Sequence, residues 1–209
     1  MTKVRIATAA YPFDWFDNFA EYEAKITQWV DEAADCDLLV FPEYGAMELA
    51  SLGGPEVAAD LEQSLHEVAR HEAACDALHI QLAQRHGLDG VHLTRNLHKI
   101  RAIRKELGAD AIVGAFAGAS RHDGLGAGEA GADYVSFGPC GPSALGQGET
   151  APADLFSWWS EVVEVPVVAE GALTPALIAE LSPITDFIAL GPEIWSAPDP
   201  VAALGDLWG

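Results

Sequence analysis

Two rhythms of hydrophobic and polar positions alternate along this chain. Short, nearly continuous apolar runs occur at VRIATAA (4–10), DLLVFPE (37–43), DGVHL (89–93), AIVGAF (111–116), YVSFG (134–138), VPVVAEG (165–171) and FIALG (187–191). Each predicts a short strand buried on both faces. Between them the apolar residues fall at helical spacing. In 17–36 they are Phe19, Tyr22, Ile26, Trp29, Val30 and Ala33. One further helix is expected somewhere in 55–86, opened by Pro55 and closed before Gly87, and another at 96–107, ended by Gly108. Others are expected near 123–131, over 153–163, over 174–181 with Thr174 as N-cap and Pro175 as first helical residue, and over 198–206. The glycine-rich stretch 117–131 reads as a loop running into a helix, with Arg121 and His122 in the loop.

This makes about seven strand-then-helix units and no hairpin signal. The fold class is α/β with a mainly parallel sheet, most simply a (β/α) barrel-like arrangement. A doubly wound or layered sheet fits the same pattern. Seven units leave a barrel one short, and an exposed sheet edge favours a homo-oligomer.

Composition narrows the function classes. The 209 residues are half hydrophobic, enough for a sizeable core. Acidic residues outnumber basic ones 32 to 11, for a formal charge of −21. A field of that sign repels nucleic acid and anionic membranes, so neither is expected as a partner. No apolar run approaches the roughly 20 residues that span a bilayer, and the N-terminus reads as a strand, not a leader. Cys36, Cys75 and Cys140 are odd in number and widely spaced. That argues against a disulfide framework and for a reducing cytoplasm. The histidines at 66, 71, 79 and 86 show no metal-ligating spacing, and no metal site is expected from them. His92 reads as a core histidine on a strand. Of Trp158 and Trp159, adjacent on one helix, one is expected to pack and the other to face outward.

Residues 1–86 resemble the start of the nitrilase (carbon–nitrogen hydrolase) superfamily, through VRIATAAYP, DLLVFPEYGAMEL and LHIQLAQRHG. The resemblance implies that Glu43 is the general base of a Glu-Lys-Cys triad. Such chemistry needs a thiolate nucleophile and a cation beside the oxyanion. No matching lysine or cysteine follows, and the plain alternative for Glu43 is a strand-end carboxylate capping a loop.

From 88 to 209 the chain resembles the thiamine phosphate synthase family. LDGVHL, AIVGAF, AGADYVSFGP, VPVVAEGALT and FIALGPEIW carry the match in order and spacing. The resemblance implies a (β/α)₈ barrel with ligands at the strand C-terminal ends and Mg²⁺ as cofactor. The position implied for a magnesium-binding aspartate is Leu97, and a serine near the pyrophosphate is replaced by Phe116. The loop that implies a lysine reads Pro142, Ser143, Ala144, Leu145, Gly146. No cofactor is evident from the residues present. The implied phosphate site is Gly171, Thr174 and Gly191, where backbone amides at a helix start could hold an anion. Glu170, immediately before Gly171, opposes an anion there. Arg95 and Ser143 are further candidates at the mouth.

Together the two likenesses suggest a chimera, 1–87 nitrilase-like and 88–209 synthase-like, packed as one domain. The expected function is a diverged barrel that binds a phosphorylated small molecule, with weak or no synthase activity. A nitrilase-type hydrolase using Glu43 and a non-catalytic scaffold are the alternatives.

Overall fold

The computed structural model describes residues 5–8, 12–36, 38–41, 45–94, 97–142 and 149–208. They form two compact units, Met1–Leu88 and Asp89–Gly209.

In the first unit β1 (Ile6–Thr8) and β2 (Leu38–Val40) pair in parallel, Ile6 against Leu38. Helix α1 (Phe19–Glu32) joins them. Its N-cap, Asn18, accepts a hydrogen bond from the Glu21 amide at 3.2 Å, satisfying one of the donors a helix start leaves orphaned. The apolar stripe Tyr22, Ile26 and Val30 is buried with Phe16, Leu49, Leu78 and Leu82. Glu48, on the 3₁₀ stretch Gly45–Gly53, is buried in the same region. Its carboxylate accepts from the Asp14 amide at 2.6 Å and pairs with Lys25 at 2.5 Å.

The helical region 55–86 proves to be three helices: α2 (Pro55–Ala58), α3 (Leu61–Arg70) and α4 (Glu72–His86). Asp60 divides the first two. Its carboxylate accepts from the Gln63 amide at 2.8 Å, an N-cap contact that competes with continuing the preceding helix. Gly87 ends α4 with φ +61°, a left-handed C-cap.

The second unit runs β3 (Gly90–Leu93), α5 (Ile100–Leu107), β4 (Ile112–Phe116), α6 (Arg121–Ala130), β5 (Tyr134–Phe137), α7 (Ala153–Val162), β6 (Val167–Glu170), α8 (Pro175–Leu181), β7 (Phe187–Ala189), α9 (Pro192–Trp195) and α10 (Pro200–Trp208). The five strands pair in parallel in the order β3-β4-β5-β6-β7. The architecture is α/β with a parallel sheet.

Arg121 and His122 correct one sequence expectation: they open α6 instead of lying in a loop. The Ser120 hydroxyl accepts from the Asp123 amide at 3.1 Å, so the helix starts two residues earlier than the glycines suggest.

Register divides the sheet into two unlike faces. Val113, Ala115, Val135, Phe137, Val167 and Ala169 share one face and are wholly buried. Trp159 of α7 packs on that face edge-on to Phe137, with ring centroids 5.0 Å apart. Its indole N–H donates to the Val165 carbonyl at 2.7 Å. Trp158 turns the other way, beneath the Arg121 guanidinium at 4.7 Å. The opposite face carries Ile112, His92, Tyr134, Ser136, Phe187 and Glu170.

Two aspartates set the start of the ladder. Asp133 accepts from the Val113 amide at 2.6 Å, and Asp186 accepts from the Val167 amide at 2.8 Å. Each aspartate precedes a strand and holds the first residues of the neighbouring strand. Arg104 supports one of these clips, donating to Asp133 and to the Gly131 and Ala111 carbonyls.

Trp159 combines a fully buried ring with a hydrogen bond. Trp159→Ala should therefore lower stability by about 3–5 kcal/mol in urea denaturation. Trp159→Phe, which loses the N–H donor but keeps most of the ring volume, should cost clearly less.

Candidate functional site

Parallel pairing brings the C-terminal ends of β3 to β7 to one edge, where open α/β sheets place their ligands. After β6 the chain turns through Gly171, φ +84°, and Ala172, φ +52°. The first value is natural for glycine. The second is the only positive φ of a non-glycine among the described residues, and a Cβ makes it strained. Thr174 caps α8 as expected, its hydroxyl accepting from the Leu177 amide at 3.2 Å.

The loops after β6 and β7 are joined by a residue that sequence reading passed over. The Leu173 amide donates to Glu193 Oε1 at 2.7 Å, and the Gly191 amide donates to Glu193 Oε2 at 2.8 Å. One carboxylate thus fills two amides from separate strand ends. Gly191 was expected to offer its N–H to a ligand; in the structure that N–H already has an anionic partner within the chain. No sequence signal singles out Glu193, because its two donors become neighbours only when β6 pairs with β7.

A second set of polar side chains lies on the sheet's less buried face. His92 Nδ1 and the Tyr134 hydroxyl are 2.9 Å apart, and the two rings stack with centroids 5.5 Å apart. Gly114 makes this possible: a Cβ there would run into the Tyr134 ring. His92 is exposed on its strand, which corrects its reading as a core histidine. The atoms packed around the ring still desolvate it and lower its pKa. Burial raises the Tyr134 hydroxyl, and the Glu170 charge adds to that shift.

Glu170 lies at the end of β6, with its carboxyl beside Ser136 and its backbone oxygen accepting from the Cys140 amide at 2.9 Å. Burial raises its pKa, and the neighbouring Ser136 hydroxyl opposes the rise. That hydroxyl is itself wholly buried and makes no hydrogen bond of full geometry. Cys140, in the loop after β5, is pushed up to about 11 by burial, with the Glu170 backbone bond opposing and the Glu170 charge adding.

A cleft of about 680 Å³ opens at the ends of β3 and β4, lined by Thr94, Leu97, His98, Phe116, His122 and Asp123, among others. Leu97 and Phe116, the positions matched to a magnesium ligand and a pyrophosphate serine, both belong to it. The described lining offers a hard cation one carboxylate, Asp123, beside two imidazoles and an apolar floor, whereas Mg²⁺ sites combine one or two carboxylates with water and substrate phosphates. No group of three or more His, Cys, Asp or Glu able to hold a metal occurs among the described residues. Glu43, Arg95 and Ser143 lie outside the described residues. No helix among the described residues is long and apolar enough to cross a membrane.

Comparison with known proteins bears on the family and the fold. The family model for thiamine monophosphate synthase matches residues 59–192. A thiamine-phosphate synthase of Rhodospirillum centenum is 41% identical over 132 residues, covering 60% of this chain and 62% of the relative. One from Xanthomonas campestris pv. campestris is 34% identical over 157 residues, covering 70% of this chain and 75% of the relative. The chain thus spans 62% of the length of the Rhodospirillum relative. A solved thiamine phosphate pyrophosphorylase from Pyrococcus furiosus aligns with TM-score 0.53 at 18% identity, over 99% of this chain and 97% of that one. That likeness concerns the fold, an α/β fold with a parallel sheet.

Glu170 supplies a test of the less buried face. Its folded-state pKa lies above the ordinary value of 4.5, so the native chain holds this proton more tightly than the unfolded chain does. The stability it contributes is present at low pH and is lost as pH rises through the folded value. Glu170→Gln should accordingly raise Tm at pH 7. The gain should shrink as pH is lowered toward 5. A gain that is constant with pH would contradict the assignment.

Proposed function

The chain belongs to the thiamine monophosphate synthase family, and from that premise we propose that it binds a phosphorylated small molecule at the ends of β6 and β7 with weak or no synthase turnover. The observation that carries the reading is the convergence of the Leu173 and Gly191 amides on a single carboxylate. Two backbone donors from neighbouring strand-end loops make an anion cradle that does not depend on side-chain identity. Members of the family named thiamine-phosphate synthase supply the reaction class, a transfer that forms a thiamine phosphate.

The other end of the sheet supports the weakened half of the proposal. In the cleft at β3 and β4, Leu97 and Phe116 offer no oxygen to a metal or a pyrophosphate. In an intact synthase of this family Mg²⁺ would neutralise charge on the pyrophosphate leaving group, and nothing described in this cleft replaces it. Glu170 adds a carboxyl close to the path of any anion entering toward Gly171.

The nitrilase likeness of the first unit is a reading of sequence alone. The family match reaches back to residue 59 and so takes in α3 and α4, which leaves that likeness its strongest residues before 59. A nitrilase-type hydrolase would need a thiolate. Burial raises the Cys75 thiol to about 11, with Asp76 and Glu72 adding to the shift, and Cys140 is raised to a similar value. Both are protonated at neutral pH, which favours the synthase-like reading over hydrolysis.

Titration of inorganic phosphate and of a thiazole phosphate, followed by amide NMR, tests the proposal. The expected result is saturable shifts at Leu173 and Gly191 with Kd in the roughly millimolar range, about −4 kcal/mol. A parallel assay of thiamine phosphate formation with Mg²⁺ present should show little or no turnover. Turnover at an ordinary enzymatic rate, or shifts confined to the β3–β4 cleft, would overturn it.

A further inference from the structure

We propose that Glu170 anchors a second site, on the less buried face of the sheet, that takes a small organic cation bearing N–H donors, a guanidinium or primary ammonium group. The site is separate from the Leu173 and Gly191 amides and does not rest on the phosphate reading. Register places its parts. Tyr134 and Ser136 lie two apart on β5, and Ser136 pairs with Val168 of β6, so Glu170, two residues further on, shares their face. Gly138 leaves room for the carboxyl, since a Cβ there would come within 2.9 Å of Glu170 Cγ. Ser136 is wholly buried and Glu170 half-buried, so the hydroxyl lies beneath the carboxyl. Ser136 Oγ has no hydrogen-bond partner, and a buried hydroxyl left in that state costs stability. Its place fits one role: to donate to the Glu170 carboxylate from below when a cation pairs with it from above.

The surroundings decide the sign of the ligand. Glu170 has no ion-pair partner among the described residues. The titratable groups that respond to its charge are Tyr134 on β5 and Cys140 in the loop after it. Burial raises both, so both are neutral at neutral pH. Beyond Tyr134 stands His92, its Nδ1 2.9 Å from the Tyr134 hydroxyl, and burial lowers its pKa, so it too is neutral. On β7 the residue paired with Glu170 is Ala189, which adds no charge. The ionised carboxylate therefore meets hydroxyls and no counter-charge. A cation with N–H donors supplies both the charge and the hydrogen bonds, and bonds of that kind are the strong ones. A formal charge of −21 also draws cations toward the chain. Exposed His92 and half-buried Tyr134 leave the face open to solvent.

The test titrates methylguanidinium chloride into the full chain at pH 7 while the Ser136 and Glu170 amides are followed by NMR. Sodium chloride and tetramethylammonium chloride at equal ionic strength serve as comparisons. Methylguanidinium should give saturable shifts at both amides; sodium, and tetramethylammonium with its charge but no N–H, should not. Glu170→Gln keeps the shape and removes the charge, and should weaken binding by at least about tenfold. Ser136→Ala should weaken it about fivefold. The Glu170 carboxyl carbon gives a readout that a merely structural hydroxyl would not move. Methylguanidinium should lower the pH at which that carbon titrates in the native chain, and Ser136→Ala should raise it without ligand. Equal shifts with sodium would reduce the effect to diffuse attraction by an acidic chain and overturn the site. Undiminished binding by Glu170→Gln, or no saturable shift at either amide, would overturn it as well. A Glu170 titration unchanged in Ser136→Ala would overturn the role given to Ser136.

Discussion

A parallel strand can pair with its successor only after the chain has crossed back over the sheet. In the second unit that constraint is met four times in succession, with β3 to β7 paired in chain order. The crossovers are helices, and a helix must bury its apolar stripe. The face they cover is fully apolar: Val113, Ala115, Val135, Phe137, Val167 and Ala169 are wholly buried. Everything at the candidate site follows from this, because the same geometry delivers every strand's C-terminal end to one edge. Residues as far apart as Leu97, Phe116, Gly171 and Gly191 thus belong to one row of loops.

The less buried face is where this chain departs from a plain core. Ile112 is 47% exposed and Phe187 61% exposed. Between them lie the His92–Tyr134 pair and the Ser136–Glu170 pair. Glu170 has no ion-pair partner among the described residues, and its raised pKa reflects an ionised form poorly served by its surroundings. Residues that cost stability without supporting the core are commonly kept for function. Here they stand beside the strand-end loops whose Leu173 and Gly191 amides donate to Glu193.

The two ends of the strand-end row have different chemistry. At β6 and β7 the donors are backbone amides, which persist whatever side chains surround them. At β3 and β4 the lining is made by side chains, with Leu97 and Phe116 beside His98, His122 and Asp123. A site built from backbone outlasts one built from side chains.

Much of the fold was legible along the chain, for physical reasons. All seven described strands fall inside the apolar runs that predicted them, but the expectation of burial on both faces fails, since Ile112, Phe187 and His92 on one face are exposed. Thr174 and Pro175 announced α8, since a cap acts through residues three apart. Local chemistry misled where a cap outweighed propensity. Ser120 starts α6 before the glycines, and Asp60 splits a region that reads as one helix. The family was legible because its motifs lie on the strands themselves. What the sequence by itself determined is therefore the strands, their parallel order and the family. Which strand face is buried was decided only by tertiary structure, because residues 165–169, VPVVA, are apolar at every second position and also between them. The partner of the Gly191 amide was decided there too. Glu193 lies two residues from Gly191 but 20 from Leu173, and only the pairing of β6 with β7 brings both amides to its carboxylate.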